Sequence, residues 1–210
     1  MGIDFNNYQI LSKFNVSRET YYILDDFRKL VIKKNRLINL ISQKTEENFI
    51  ERHIIDCAQA IDFIDINSQS CTDVGSGAGL PGIVLAIVFK KKNIKMKMNL
   101  YEKSHHKSKF LKQISEKLKL NVEVFQRDIF KEKNLVSGSI IARAFKPLPI
   151  ILDLVEKKFK NYKNLVVFMG KNGKQMLEDS VKKWKFEYKE KRSLTSKDSF
   201  LINIKNIKKN

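Results

Sequence analysis

Residues 72–82 read TDVGSGAGLPG, and they hold four of the eight glycines in a chain of 210 residues. Glycine costs chain entropy, and it lets a backbone turn tightly or approach a ligand closely. Gly75, Gly77, Gly79 and Gly82 within eight positions therefore mark a loop built around something. Before the loop, residues 71–74 read as a short strand. After it, residues 80–91, with the apolar run Gly82 to Phe89, read as a helix. A loop between the carboxyl end of a strand and the start of a helix is where open α/β sheets bind ligands.

Downstream, strand-like runs at 94–102, 122–126, 139–142 and 165–169 alternate with helical stretches at 104–119 and 147–159, the last opening on Pro147. That alternation predicts a parallel sheet with helices on both faces. Residues 184–191 and 200–207 read as two further strands with no clear helix between them, hence a terminal antiparallel hairpin. Upstream, Ile23, Leu24, Phe27, Leu30, Val31, Leu37, Ile38 and Ile41 follow three-and-four spacing, which predicts a helix over 17–41 capped by Ser17. A second helix is expected after Thr45, with Phe49, Ile50, His53, Ile54, Cys57, Ala58 and Ile61 on one face. The expected fold is α/β and Rossmann-like: a mostly parallel seven-stranded sheet with an antiparallel C-terminal hairpin. Residues 1–65 form a helical extension and 66–210 the cofactor-binding domain, packed as one unit.

Composition bounds the function. A 42% hydrophobic content supports one substantial core without disulfides. Cys57 and Cys71 have no spacing that would hold zinc, and no metal site is expected. No positively charged leader precedes an apolar run, and the longest such run falls far short of the roughly 20 residues that cross a bilayer. A cytoplasmic chain with reduced thiols and no membrane partner follows. Its formal net charge of +18 is the footprint of a polyanionic partner, nucleic acid first. A solvated lysine-rich surface is the bland alternative, since 34 of the 41 basic residues are lysine.

Glu102 ends the second strand run, 23 positions after Gly79. An acidic residue there can accept hydrogen bonds from both hydroxyls of a ribose, so a nucleoside-containing cofactor is implied. Gly77, Gly79 and Gly82 also satisfy G-x-G-x-x-G, which leaves a nicotinamide cofactor and a reductase open. The acidic Asp73 two positions before Gly75, the G-x-G-x-G spacing and the lack of a second domain favour S-adenosylmethionine. Asp73 would then face the cofactor's cationic end through water or the loop amides. A non-catalytic RNA-binding protein on the same fold is the other alternative.

NLIS at 39–42, ERHIID at 51–56, DVGSGAGLPGIVLAIV at 73–88 and ARAFKPL at 142–148 resemble the RsmG family, also called glucose-inhibited division protein B. The resemblance implies a class I methyltransferase fold that moves a methyl group from S-adenosylmethionine to N7 of one guanine in 16S, small-subunit, ribosomal RNA. The partner it implies is that RNA or a small-subunit precursor, met by a monomer. By the same resemblance, Gly75 and Leu80 line the cofactor, and the loop's own pattern adds Asp73 and Gly77 to its expected contacts. Glu102 takes its ribose, Asp128 and Ile129 lie near its adenine, and Arg143 stands beside it facing the RNA. Arg52, His53, Lys107, Arg127, Arg143 and Lys171 are the expected substrate contacts. His106 stands where the family often has lysine, and Met169, Gly170, Lys171 depart from its usual lysine-glycine.

Guanine N7 carries a free lone pair, so no proton need leave before it attacks a methyl group. Alignment can then carry the reaction, and no catalytic base is assigned. Positive charge passes to the base, so cations are expected on phosphates rather than against N7. Structural readings stand beside these: Asp128 as a helix cap, His53 as a core histidine, Lys103, His105, His106, Lys107 and Lys109 as a charged helix start, Cys71 as core.

Overall fold

The computed structural model describes residues 5–92 and 94–210. The described residues form seven α-helices and nine strands, with shorter 3-10 and π segments between them. The helices are α1 (Phe5–Ser12), α2 (Arg18–Asn35), α3 (Asp56–Ala58), α4 (Gly82–Lys91), α5 (His105–Lys117), α6 (Leu148–Lys158) and α7 (Gly173–Val181). The strands are β1 (Ser70–Val74), β2 (Lys97–Tyr101), β3 (Val122–Phe125), β4 (Leu135–Val136), β5 (Ser139–Ala142), β6 (Phe159–Lys160), β7 (Asn164–Met169), β8 (Trp184–Arg192) and β9 (Phe200–Lys209).

Seven strands make one sheet in the order β3-β2-β1-β5-β7-β9-β8. β3, β2, β1, β5 and β7 run parallel, and β9 lies antiparallel to both β7 and β8, as the sequence pattern predicts. Ile140, Ile141 and Ala142 of β5 are fully buried, the composition of a strand covered on both faces. β8 is an edge strand studded with Lys185, Lys189, Lys191 and Arg192, charges that discourage another strand from pairing there. The order reverses around β1 and β5, so their carboxyl ends form the topological switch point.

One hydrophobic cluster fills one face of the sheet. It unites Leu24, Phe27 and Val31 of α2, Ile54 and Cys57 of the helical segment after Thr45, and Ile83, Leu85 and Ile87 of α4. Every residue of α4 from Gly82 to Phe89 is buried, as expected for a helix apolar all round. The other face packs Leu148, Leu152 and Val155 of α6 against Ile202 and Ile204 of β9. At the amino ends of the central strands, Ser139 Oγ donates to Asn164 Oδ1 at 2.8 Å. Asn164 Nδ2 donates to Phe63 O and Asn203 Oδ1, each at 2.7 Å. Those buried polar groups are paired, which fixes the helical segment to the sheet.

Several local expectations need correction. Ser17 caps α2 as expected, its Oγ accepting from Thr20 N–H at 3.3 Å, but α2 ends at Asn35 instead of running to Ile41. Asn35 Oδ1 accepts from Leu40 N–H at 2.7 Å and Ile41 N–H at 3.0 Å, turning the chain back on itself. Leu37 is consequently 75% exposed. The helix after Thr45 is π-helical over Ile50–Ile55, α-helical over Asp56–Ala58 and 3-10 over Gln59–Phe63. The wider turn buries Ile55 and leaves Ile50 only half-buried. α1, α7 and the small parallel pair β4–β6 carry no clear periodicity. In α7 only Gly173, Leu177 and Ser180 are buried, so two of its three inward positions are small and read as loop.

Candidate functional site

Asp73 and the glycines after it build the loop. Gly75, Gly77 and Gly79 have φ of +76°, +55° and +87°, the left-handed region in which a side chain is strained. Gly75 N–H and Ser76 N–H both donate to Tyr101 O at 3.0 Å, which carries the loop across the end of β2. Asp73 Oδ2 accepts from Gly82 N–H at 3.0 Å and closes the loop beneath α4. Its other oxygen, Oδ1, is buried without a hydrogen-bond partner. Burial pushes the Asp73 carboxyl up to about 7, Glu102 nearby adds to this, and the Gly82 and Ser76 hydrogen bonds oppose it. Asp73 is 1% exposed and does not line the cavity above the loop. It therefore acts on the loop from below, through the Gly82 amide.

Above the loop lies a cavity of about 940 Å³, lined on this side by Gly75, Gly77, Leu80, Glu102, Asp128 and Ile129. Glu102 follows directly on β2. Its Oε2 accepts from Gly77 N–H at 2.9 Å and its Oε1 from Ser104 N–H at 2.8 Å. The carboxylate is thus oriented at the rim, and each oxygen keeps a lone pair for a further donor. Asp128 does cap the short helical turn after it, accepting from Phe130 N–H at 3.1 Å, and it lines the cavity as well.

The opposite wall depends on Asp56, within the ERHIID run. Its Oδ2 accepts from Arg143 Nε at 3.0 Å, and its Oδ1 accepts from Ser193 Oγ at 3.3 Å and Thr195 Oγ1 at 3.2 Å. Arg143, at the end of β5, lines the cavity but is not a free cation. Its Nη2 also donates to Arg52 O at 2.9 Å and to His53 Nδ1 at 3.3 Å. A guanidinium can only donate, so His53 Nδ1 is an acceptor and the proton sits on Nε2. That proton goes to Thr45 Oγ1 at 2.9 Å, and Thr45 passes its own to Ser42 O at 2.8 Å. Burial pulls His53 down to about 4, with the charges of Arg143 and Arg52 adding to the effect. His53 is neutral, and its lone pair is committed.

Lys107 and Arg127 line the cavity, joined by Lys103 and Lys146. Arg127 is largely exposed and pairs with Glu132 at 3.3 Å. Two expected contacts lie off the lining. Arg52 reaches Thr195 O at 3.5 Å from outside, and Lys171 is exposed in the turn before α7, although its neighbour Gly170 lines the cavity. Sequence reasoning missed Thr45, Asp56, Phe130, Phe145, Ser193 and Ser199 as wall residues. Asp56 and Phe145 stood inside runs that carried the resemblance. Ser193 and Ser199 carry no local signal, because contact across the fold alone brings them to the wall.

The family model for rRNA small subunit methyltransferase G matches residues 21–203. A ribosomal RNA small subunit methyltransferase G of Pelagibacter ubique (strain HTCC1062) is 54% identical over 207 residues, 98% of this chain and 97% of that protein. Its counterpart in Rickettsia akari (strain Hartford) is 34% identical over 195 residues, 92% of this chain and 98% of that protein. Among solved structures, a SAM dependent methyltransferase from Aquifex aeolicus matches 75% of this chain and 92% of its own at a TM-score of 0.55 and 16% identity. The 16S rRNA methylase RmtB matches 93% and 76% at 0.53 and 12%; both likenesses speak to the fold. With its glycine loop at the switch point, its oriented Glu102 and this near full-length similarity, the chain belongs to the rRNA small subunit methyltransferase G family.

Proposed function

We propose that this chain transfers the methyl group of S-adenosylmethionine to N7 of a guanine in small-subunit ribosomal RNA, acting as a cytoplasmic monomer. The observation that carries the reading is one cavity at the switch point, walled on one side by the glycine loop and Glu102 and on the other by the hydrogen-bonded Asp56, Arg143 and His53 side chains. The residues suit the cofactor. At Gly75 an added Cβ would lie 2.1 Å from the Phe145 ring, whereas at Gly77 nothing comes nearer than 3.9 Å. The backbone is thus bare where a ligand must come close. A volume of about 940 Å³ lies at the upper end of small-molecule sites. It has room for a base as well as a cofactor.

In this reading Gly75, Gly77 and Leu80 cradle the cofactor, Glu102 accepts from its ribose, and Asp128 and Ile129 border its adenine. S-adenosylmethionine, when bound, supplies a methyl group on a sulfonium cation. The protein aligns the guanine and takes no proton: Asp73 has no path into the cavity and the His53 lone pair is held by Arg143. Lys103, Lys107, Lys146 and Arg127 grip phosphates, with Arg52 and Lys171 further out. Buried, unpaired Cys57 and Cys71 accord with a reducing compartment. Among the described residues, no helix is long and apolar enough to cross a membrane.

RNA carrying 7-deazaguanine tests the acceptor atom, because a C–H replaces the N7 lone pair while the Watson-Crick edge and phosphates persist. Such RNA is expected to bind and accept no methyl group. Methylation at the normal rate would rule out N7.

A further inference from the structure

Five aromatic side chains of Tyr and Phe line the cavity, and three are engaged by another ring or by a cation. Tyr101 stacks on Phe125 at 4.7 Å and 11°. The Arg143 guanidinium sits 5.9 Å from the centre of Phe168, and the Lys174 ammonium 4.7 Å from that of Phe200. Phe130, in the short helical turn after Asp128, and Phe145 pair with each other. Phe145 also packs on the glycine loop. It follows β5 at the switch point, half-buried, and packs so closely on Gly75 that a Cβ there would meet its Cδ2 at 2.1 Å. Its ring lies 5.8 Å from Phe130 at an interplanar angle of 19°. The preceding residue, Ala144, holds a φ of +49°, a conformation costly for a residue with a Cβ, and one that persists only where the surroundings enforce it. That residue directly precedes the ring that packs on the loop.

We propose that Phe145 is the platform on which the acceptor guanine stacks, and that its ring favours the base most strongly as that base becomes a cation. The inference rests on the proposed N7 methylation. As the N7 lone pair forms the new bond to carbon, the electron pair of the broken carbon–sulfur bond stays on sulfur, and the positive charge passes to the purine. An aromatic face attracts a cation more than a neutral ring. Phe145 therefore binds the transition state better than the substrate, the only kind of interaction that raises the rate of the chemical step. Arg143, neutralised by Asp56, and neutral His53 put no unpaired positive charge against it.

The test compares the full chain with Phe145→Leu and Phe145→Tyr. Methyl transfer to deproteinised small-subunit ribosomal RNA is followed alongside calorimetric binding of S-adenosylmethionine and quenching of 7-methylguanosine monophosphate fluorescence. Removing a stacking ring is expected to lower kcat/KM by roughly 5- to 150-fold, with kcat carrying the larger part. Phe145→Leu should also lose the quenching, Phe145→Tyr should restore both, and cofactor affinity should stay unchanged. Phe145→Met replaces the leucine variant should that one fail to fold. Wild-type kcat or quenching in a folded Phe145→Leu protein overturns the proposal. So does a fall in cofactor affinity that matches the fall in rate, since the ring would then belong to the cofactor. No methyl transfer by the wild-type protein to this RNA or to small-subunit precursor particles would instead overturn the proposed function, and this inference with it.

Discussion

Asp73 and His53 are buried groups on two sides of one cavity, and their linkage to folding has opposite signs. Asp73 is raised from 3.8 to about 7 by burial. Between those values the folded state holds the proton that the unfolded chain has lost, so stability declines as pH rises through the window. His53 is lowered from 6.5 to about 4 by burial. There the unfolded chain binds the proton, so stability is lost as pH falls from 6.5 toward 4. The two slopes oppose each other over most of that range. Asp73→Asn is expected to expose the histidine slope, giving a protein whose stability rises with pH. His53→Gln should expose the aspartate slope, giving one whose stability falls. Urea unfolding at pH 4.5 and 6.5 reads both signs, and identical slopes in the two variants would contradict the assignments.

Helix α4 shows how an element can depend on a glycine that its own propensity disfavours. Alanine is the better helix former by about 1 kcal/mol in an exposed interior. At Gly82, though, an added Cβ would lie 2.3 Å from Leu100 Cδ2 and 2.7 Å from Asp73 Oδ2. The first turn of α4 sits directly on β1 and β2, where there is no room for a methyl group. Gly82→Ala is therefore expected to destabilise by about 1–3 kcal/mol, the usual cost of overpacking. It should also weaken cofactor binding, because the Asp73–Gly82 bond that closes the loop would shift. Denaturant midpoints and calorimetry check the two effects. A stabilised variant would mean that helix propensity outweighs the packing.

At the scale of the molecule, the Asp56 carboxylate joins three parts of the chain: its own helical segment, Arg143 at the end of β5, and Ser193 and Thr195 in the loop between β8 and β9. The Asp56 and Arg143 side chains are 15% and 18% exposed. Removing one partner of a buried pair leaves an uncompensated charge and typically costs about 3–5 kcal/mol. Asp56→Ala should cost close to the lower figure. Asp56→Leu combined with Arg143→Met should cost less, and a double variant worse than the single would refute the buried-charge account. The surplus of positive charge acts at longer range. If lysines around the rim hold phosphates, each neutralised phosphate adds about −0.7 to −0.9 to the log–log slope of RNA affinity against salt. Affinity for S-adenosylmethionine should barely change over the same titration. A flat RNA curve would make the +18 charge a matter of composition alone.

Local chemistry was enough to determine the alternation of strand and helix, the glycine loop between β1 and α4, the position of Glu102 and the terminal hairpin. Each is written in residues close together in the chain, through periodicity, capping and backbone freedom. The end of α2 at Asn35, the π turn over Ile50–Ile55 and helix α7 were not legible, because each answers to packing that overrides or replaces a periodic pattern. The cavity's opposite wall was hidden for a further reason. Arg143 meets Asp56 across 87 positions, and Thr195 meets it across 139. The family resemblance set Arg143 beside the site, but only the folded chain shows that Asp56 neutralises it. A side chain's type sets what it can bond to, and burial and the arrival of distant partners decide which of those bonds it makes.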